Sequence, residues 1–227
     1  MNINIPEYLS LFDNYAVLKK TDVFPAIPLG GDIDVLVEDR AYAEKLLVEH
    51  FLRSDAGTYT LSAEQRDYHT HIDLLREGKI LIRFDLIDSF DFLRKIHVKH
   101  SFATHVLTNK VGETVEGKTL FFPSPLDDML IRYLEYIEYF ETIPTKQKHL
   151  DYVLAHGEAT PWPYFISHVH RFTKLAHDEY VENPHKYSVS GKGLRQLLDP
   201  VIRRLPSNVK SPLKKIYLAM RSAFPKA

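Results

Sequence analysis

The run Gly30-Gly31-Asp32-Ile33-Asp34-Val35-Leu36-Val37 limits what this chain can fold into more than any other stretch. A Gly-Gly turn followed by an apolar, β-branched segment reads as a buried strand, here over residues 33–37. Side chains alternate along a strand, so Asp32 and Asp34 share one face while Ile33 and Val35 take the other. Two carboxylates that close repel one another. They are tolerated where a cation neutralises them, and hard divalent ions prefer such oxygen donors. A pair of ions bridged by carboxylates is a known device for in-line phosphoryl displacement.

A two-ion site needs a third acid. Asp85, in the strand over 79–87, is the preferred candidate, because an acid flanked by apolar residues in a strand needs a partner. Asp73, in the strand over 71–75, competes with it. Glu77-Gly78 signals a hairpin between these strands. If the hairpin turns on those two residues alone, Asp73 lies opposite Ile82 and faces away from Asp85. Arg83 would share the face of Asp85 and help to hold a phosphate or carboxylate. Two plainer readings stand beside this one. Asp-x-Asp at a strand start also occurs as solvated turn acids. It also occurs in metal-dependent glycosyltransferases, where the acids usually end an apolar strand rather than begin one.

The rest of the chain divides by pattern. Short apolar stripes predict a helix over 6–13 and a strand over 15–18. Asp39 is placed to cap a helix that runs to about Leu52. Residues 91–97 are expected to form a short helix, and 102–122 a looser β segment with turns near Gly112 and Gly117. From Pro123 onward the pattern becomes helical, with helices beginning at 126 and over 145–156, 162–182, 191–205 and 212–223. The expected fold class is α/β (α+β), a mixed sheet flanked by helices over 1–122, followed by a helical domain over 123–227.

Taken together, the Gly30–Val37 run, a following helix and Arg83-Phe84-Asp85-Leu86 resemble the nucleotidyltransferase superfamily of the DNA polymerase beta type. The resemblance covers residues 15–90 and points to the uncharacterised bacterial nucleotidyltransferase-like branch, some of whose members sit in surface-polysaccharide contexts. It implies a mixed sheet flanked by helices, Mg²⁺ (or Mn²⁺) held by Asp32, Asp34 and Asp85, and an NTP as substrate. The reaction implied is transfer of a nucleoside monophosphate to an acceptor hydroxyl or phosphate. Most active members carry a Gly-Ser pair about a dozen residues before the acids, where backbone N–H groups cradle the triphosphate. The matching stretch here is Tyr15-Ala16-Val17-Leu18-Lys19-Lys20. Either Lys19 or Lys20 puts a point charge where the family uses backbone donors, or triphosphate binding is altered or lost. Gly30, Gly31, Lys19, Lys20 and Arg83 are the candidate nucleotide-contacting residues. A catalytically silent nucleotide- or partner-binding module is the alternative.

Other features bound the partners. The 227 residues include no cysteine, which excludes disulfides, thiolate zinc sites and a cysteine nucleophile. The formal net charge is -1, so the overall balance favours no polyanionic partner. His69 and His71 lie i, i+2 on an expected strand and are candidates for metal or substrate contact, although such residues are more often simply hydrogen-bonded. Lys146 and Lys148 open a helix of the kind that faces nucleotide phosphates in the family. Tyr133, Tyr136, Tyr139 and Phe140 read mainly as core. Residues 191–227 are basic, with Asp199 as the single acid. They suit docking of an apolar stripe on the domain, with weak peripheral membrane contact or nucleic acid as lesser alternatives, among them a nucleic-acid-modifying toxin or defence enzyme. No leader pattern or membrane-length apolar run is visible, and the expected location is cytoplasmic.

Overall fold

The computed structural model describes residues 3–54, 59–139, 141–156 and 162–173. These fall within one compact unit, Met1–His177. The helices expected over 191–205 and 212–223, and the basic segment 191–227, lie outside the described residues.

A short helix α1 (Ile5–Leu9) leads into strand β1 (Tyr15–Val17), then β2 (Gly31–Val37), helix α2 (Arg40–Ser54), and strands β3 (Thr60–Gln65), β4 (Thr70–Arg76) and β5 (Lys79–Ile87). Helix α3 (Ser101–Thr108), the hairpin β6 (Val111–Val115) and β7 (Lys118–Phe122), and helices α4 (Pro125–Tyr139), α5 (Gln147–His156) and α6 (Trp162–Phe172) follow. The five-stranded sheet runs β1-β2-β5-β4-β3. It is mixed, since β2 and β5 are parallel and the other neighbours antiparallel. The expected mixed α/β architecture with flanking helices is what forms.

Alternation divides the sheet into two faces. Ile33, Val35, Val37, Ile72, Leu74, Ile82, Phe84 and Leu86 enter the core with Tyr8, Leu9, Leu47 and Phe51. The other face carries Asp32, Asp34, Arg83 and Asp85. Asp39 caps α2, its side chain accepting from the Tyr42 N–H at 3.0 Å. Helix α4 is buried around its whole circumference from Met129 to Glu138, the position of a central helix.

Four local expectations change. The β4–β5 register shifts between Leu74 and Leu75, so Asp73 pairs with Arg83 and not with Ile82. The irregularity turns Asp73 onto the same face as Asp85, where a simple two-residue hairpin would turn it away. Residues 91–97 form turns, not a helix. Residues 101–108 form α3, whose Phe102, Ala103, Val106 and Leu107 are buried at helical spacing. Gly112 sits inside β6, and the hairpin turns at Glu116-Gly117 alone.

Candidate functional site

The acids are placed by the parallel pair. Asp34 lies opposite Asp85 and Asp32 opposite Arg83. On the far side of β5, His71 lies opposite Asp85 and Asp73 opposite Arg83. Three adjacent strands therefore put Asp32, Asp34, Asp85, His71, Arg83 and Asp73 on one face. The Gly-Gly turn sets the start of β2. Gly30 adopts φ +77°, a conformation that a Cβ disfavours. A Cβ on Gly31 would stand 2.7 Å from the Ile27 side chain and 2.9 Å from the Pro28 carbonyl oxygen. The Gly30 N–H donates to the Leu81 carbonyl at 2.9 Å, which ties the turn to β5.

This face opens into a cleft of about 590 Å³, lined by Asp32, Asp34, Asp85, His69, Lys19, Lys20, Lys146 and Lys148, with Phe92, Tyr139 and Tyr152 among its aromatic residues. Its floor holds a charge network that joins β2 to the helical part. The Lys19 ammonium bonds Asp34 Oδ2 at 2.7 Å and Glu135 Oε1 at 2.5 Å. Lys146 bonds Glu135 Oε2 at 2.6 Å. Lys19 holds a left-handed backbone, φ +53°, an uncommon state for a long side chain and one that concentrates at functional positions.

The electrostatics follow from burial and crowding. Burial alone would lower the Lys19 pKa, but Asp34 and Glu135 outweigh it and hold the ammonium charged far above its usual range. Burial pushes the Asp34 carboxyl up from 3.8, with Glu135 and Asp85 adding to the push against the pull of Lys19. Burial works the same way on Glu135, yet Lys19 and Lys146 hold it down at about 2. His149, 3.4 Å from Glu135, is lowered to about 4, chiefly by burial, so its imidazole is neutral near pH 7. Burial also lowers His71.

The candidate nucleotide-contacting residues part company. Lys19 sits in the cleft floor. The Lys20 ammonium pairs with Glu113 at the β6 edge and lies over the Phe122 ring. Arg83 shares the face of Asp85, but its guanidinium grips Asp73 through Nε–Oδ1 at 2.6 Å and a second bond at 2.8 Å. Lys146 and Lys148 both line the cleft.

Glu135 and His149 were not anticipated from sequence. The signal was present for Glu135, an acid inside the otherwise apolar Leu134–Ile137 segment of a helix, which needs a partner if buried.

Among the described residues, two sets of three donors have ligand atoms within 4.8 Å of one another and could hold a metal ion: His69, His71 and Asp85, and His105, Asp127 and His168. Asp32 and Asp34 belong to neither set. His69 Nδ1 lies 3.0 Å from Asp85 Oδ1, and His71 Nε2 lies 3.4 Å from the same oxygen.

No protein-family model matches the chain. No curated protein matches it either. A solved structure of an antigenic nucleotidyltransferase-like protein from Paracoccidioides brasiliensis aligns with 12% sequence identity and a TM-score of 0.40, covering 64% of this chain and 68% of that one. Among the described residues, no helix is long and apolar enough to cross a membrane.

Proposed function

We propose that this chain is a metal-dependent nucleotidyltransferase, moving a nucleoside monophosphate from an NTP to a hydroxyl or phosphate acceptor. The observation that carries the reading is the opposition of Asp34 and Asp85 on parallel strands, with Asp32 one step along the same face, at the floor of a cleft. The donors suit the ion in kind. Carboxylate oxygens are the ligands that Mg²⁺ or Mn²⁺ takes, and a cation would relieve the repulsion by Glu135 and Asp85 that adds to burial in raising the Asp34 carboxyl. Asp32, Asp34 and Asp85 are the residues that would hold it. When bound, such an ion would supply charge neutralisation at the phosphates and acidify the acceptor hydroxyl.

The chain's own groups supply the rest of the reading. Lys148 brings positive charge to the cleft for phosphate oxygens, Lys146 being committed to Glu135, and Phe92 and Tyr139 offer aromatic groups for a base or sugar. A sugar or polyol is one acceptor class that this reading takes in.

A second reading has a specific observation behind it. The Lys19 ammonium already neutralises Asp34, and Lys19 stands where most active members of the superfamily that the sequence resembles carry Gly-Ser. A silent module that binds nucleotide without turnover accounts for that contact.

One experiment separates these readings. The four NTPs are screened with Mg²⁺ or Mn²⁺ for binding and for pyrophosphate release, with an Asp32→Ala/Asp34→Ala control. Binding with release that the control loses supports transfer, and binding without release in any acceptor pool supports the silent module. Equal binding by wild type and control removes the acids from the site.

A further inference from the structure

We propose that the cleft holds one nitrogen-tolerant divalent ion, of the Zn²⁺, Mn²⁺ or Co²⁺ type, on His69 Nδ1, His71 Nε2 and one oxygen of Asp85. The site shares Asp85 with the transfer site proposed above, and rests on that reading only for what the ion would do.

Donor spacing is the first argument. Metal–nitrogen and metal–oxygen bonds of about 2.0–2.2 Å place neighbouring ligands roughly 3 Å apart. The two imidazole nitrogens stand 3.0 and 3.4 Å from Asp85 Oδ1, and all three ligand atoms lie within 4.8 Å of one another. An ion would need little movement of these side chains.

The strand register is the second. His71 is the cross-strand partner of Asp85, so the sheet itself aims both at one point. The preceding His69 is steadied by the Phe92 ring, 4.9 Å away. Rigid elements rather than loose loops set most of the donor geometry.

Donor chemistry is the third. Two imidazoles and one carboxylate leave coordination positions open, and nitrogen donors favour first-row transition ions and zinc over Mg²⁺. The His69 and Asp85 side chains line the cleft, so the open positions would face its contents. Asp34, the neighbour of Asp85 on the other strand, is already paired with the Lys19 ammonium. The Asp34 charge is thus met by the chain, and the ion proposed here meets that of Asp85.

The test is a titration of the metal-free full-length chain with Co²⁺, read by its visible absorption and by calorimetry, without nucleotide. His69→Ala, His71→Ala and His105→Ala are titrated alongside, the last to exclude the cluster at Asp127. The tightest site is expected to lose at least about tenfold in affinity in His69→Ala and His71→Ala and to be unchanged in His105→Ala. If His71→Ala fails to fold, His69→Ala, whose side chain lies ahead of the strand, carries the test. Absence of saturable binding, or tight binding that survives His69→Ala, overturns the proposal. Intact histidine-dependent Co²⁺ binding with no NTP binding strikes the transfer reading alone. Asp32-dependent Mg²⁺–NTP binding together with no His69-dependent Co²⁺ binding strikes the ion proposal alone.

Discussion

Asp34 stands directly opposite Asp85 across the parallel β2–β5 pair, yet the two carboxylates have different partners: Asp34 bonds the Lys19 ammonium, and Asp85 meets the imidazoles of His69 and His71. One sheet face therefore carries two neighbouring acids with unlike chemistry. One is locked into a buried charge network that reaches α4, and the other is left facing nitrogen donors and the cleft. The asymmetry also bears on which strand acid serves the site.

Asp73 and Asp85 both face the site side of the sheet, but only Asp73 is bound by a two-pronged guanidinium. Asp85→Asn is expected to weaken metal–nucleotide binding at least tenfold. Asp73→Asn is expected to leave that affinity within about threefold while costing about 1–3 kcal/mol of stability, the usual worth of hydrogen bonds to a charged group. Calorimetric titration and urea unfolding read the two effects separately. A larger affinity loss in Asp73→Asn than in Asp85→Asn would reverse the assignment.

Lys19 and Lys146 balance Asp34 and Glu135 in the cleft floor, two cations against two anions. Lys19→Met removes one cation and leaves the part-buried Asp34 carboxylate without its partner, a change whose upper bound is the loss of a fully buried pair, about 3–5 kcal/mol. The double variant Lys19→Met/Glu135→Gln removes one charge of each sign, and its stability is expected to lie above that of Lys19→Met. Urea midpoints decide it. A double variant less stable than the single one would mean that Glu135 does not depend on Lys19.

Much of this arrangement is legible in the sequence, and the limits have physical causes. The Asp-x-Asp strand, the α2 cap at Asp39 and strands β4 and β5 follow from local periodicity and turn chemistry. The face of Asp73 does not, because one register shift between Leu74 and Leu75 reverses it and leaves no compositional mark. Strand β3 was not anticipated, since its residues after Leu61 are exposed polar and small ones on a sheet edge. Helix α3 read as β because its Phe and Val content favours strands, and packing overrode that preference. The partnership of Lys19 with Glu135 spans most of the domain in sequence, and no local pattern announces it.

The buried titrating groups predict a two-stage acid response. The His149 folded-state pKa is depressed from 6.5 to about 4, so between these values the unfolded chain binds more protons and stability falls as pH falls. Glu135 is depressed from 4.5 to about 2, so its contribution is present above 4.5 and is lost as pH falls toward 2. His149→Leu is expected to flatten the decline between pH 6.5 and 4 while leaving the lower stage. Glu135→Gln should flatten the lower stage. Chemical denaturation across this range checks both, and a His149→Leu profile parallel to wild type from pH 6.5 to 4 would rule out the first.

The turn glycines give the cleanest separation of fold from site. Gly78, at φ +74°, has nothing within 4 Å of a built Cβ, so Gly78→Ala meets only the left-handed backbone penalty of about 1–2 kcal/mol. Gly31 has the opposite problem. Its Cβ would press on the Ile27 side chain and on the Pro28 carbonyl oxygen, a backbone atom that yields little. Gly31→Ala is expected to cost about 1–3 kcal/mol by overpacking. It should also shift the 27–31 loop, and with it Asp32, away from Asp34. Gly78→Ala should therefore lower the unfolding midpoint with unchanged nucleotide affinity. Gly31→Ala should lower the midpoint by a similar amount and weaken metal–nucleotide binding several-fold. Equal affinities in the two variants, measured at a temperature where both are folded, would show that the turn supports the sheet without setting the position of the acids.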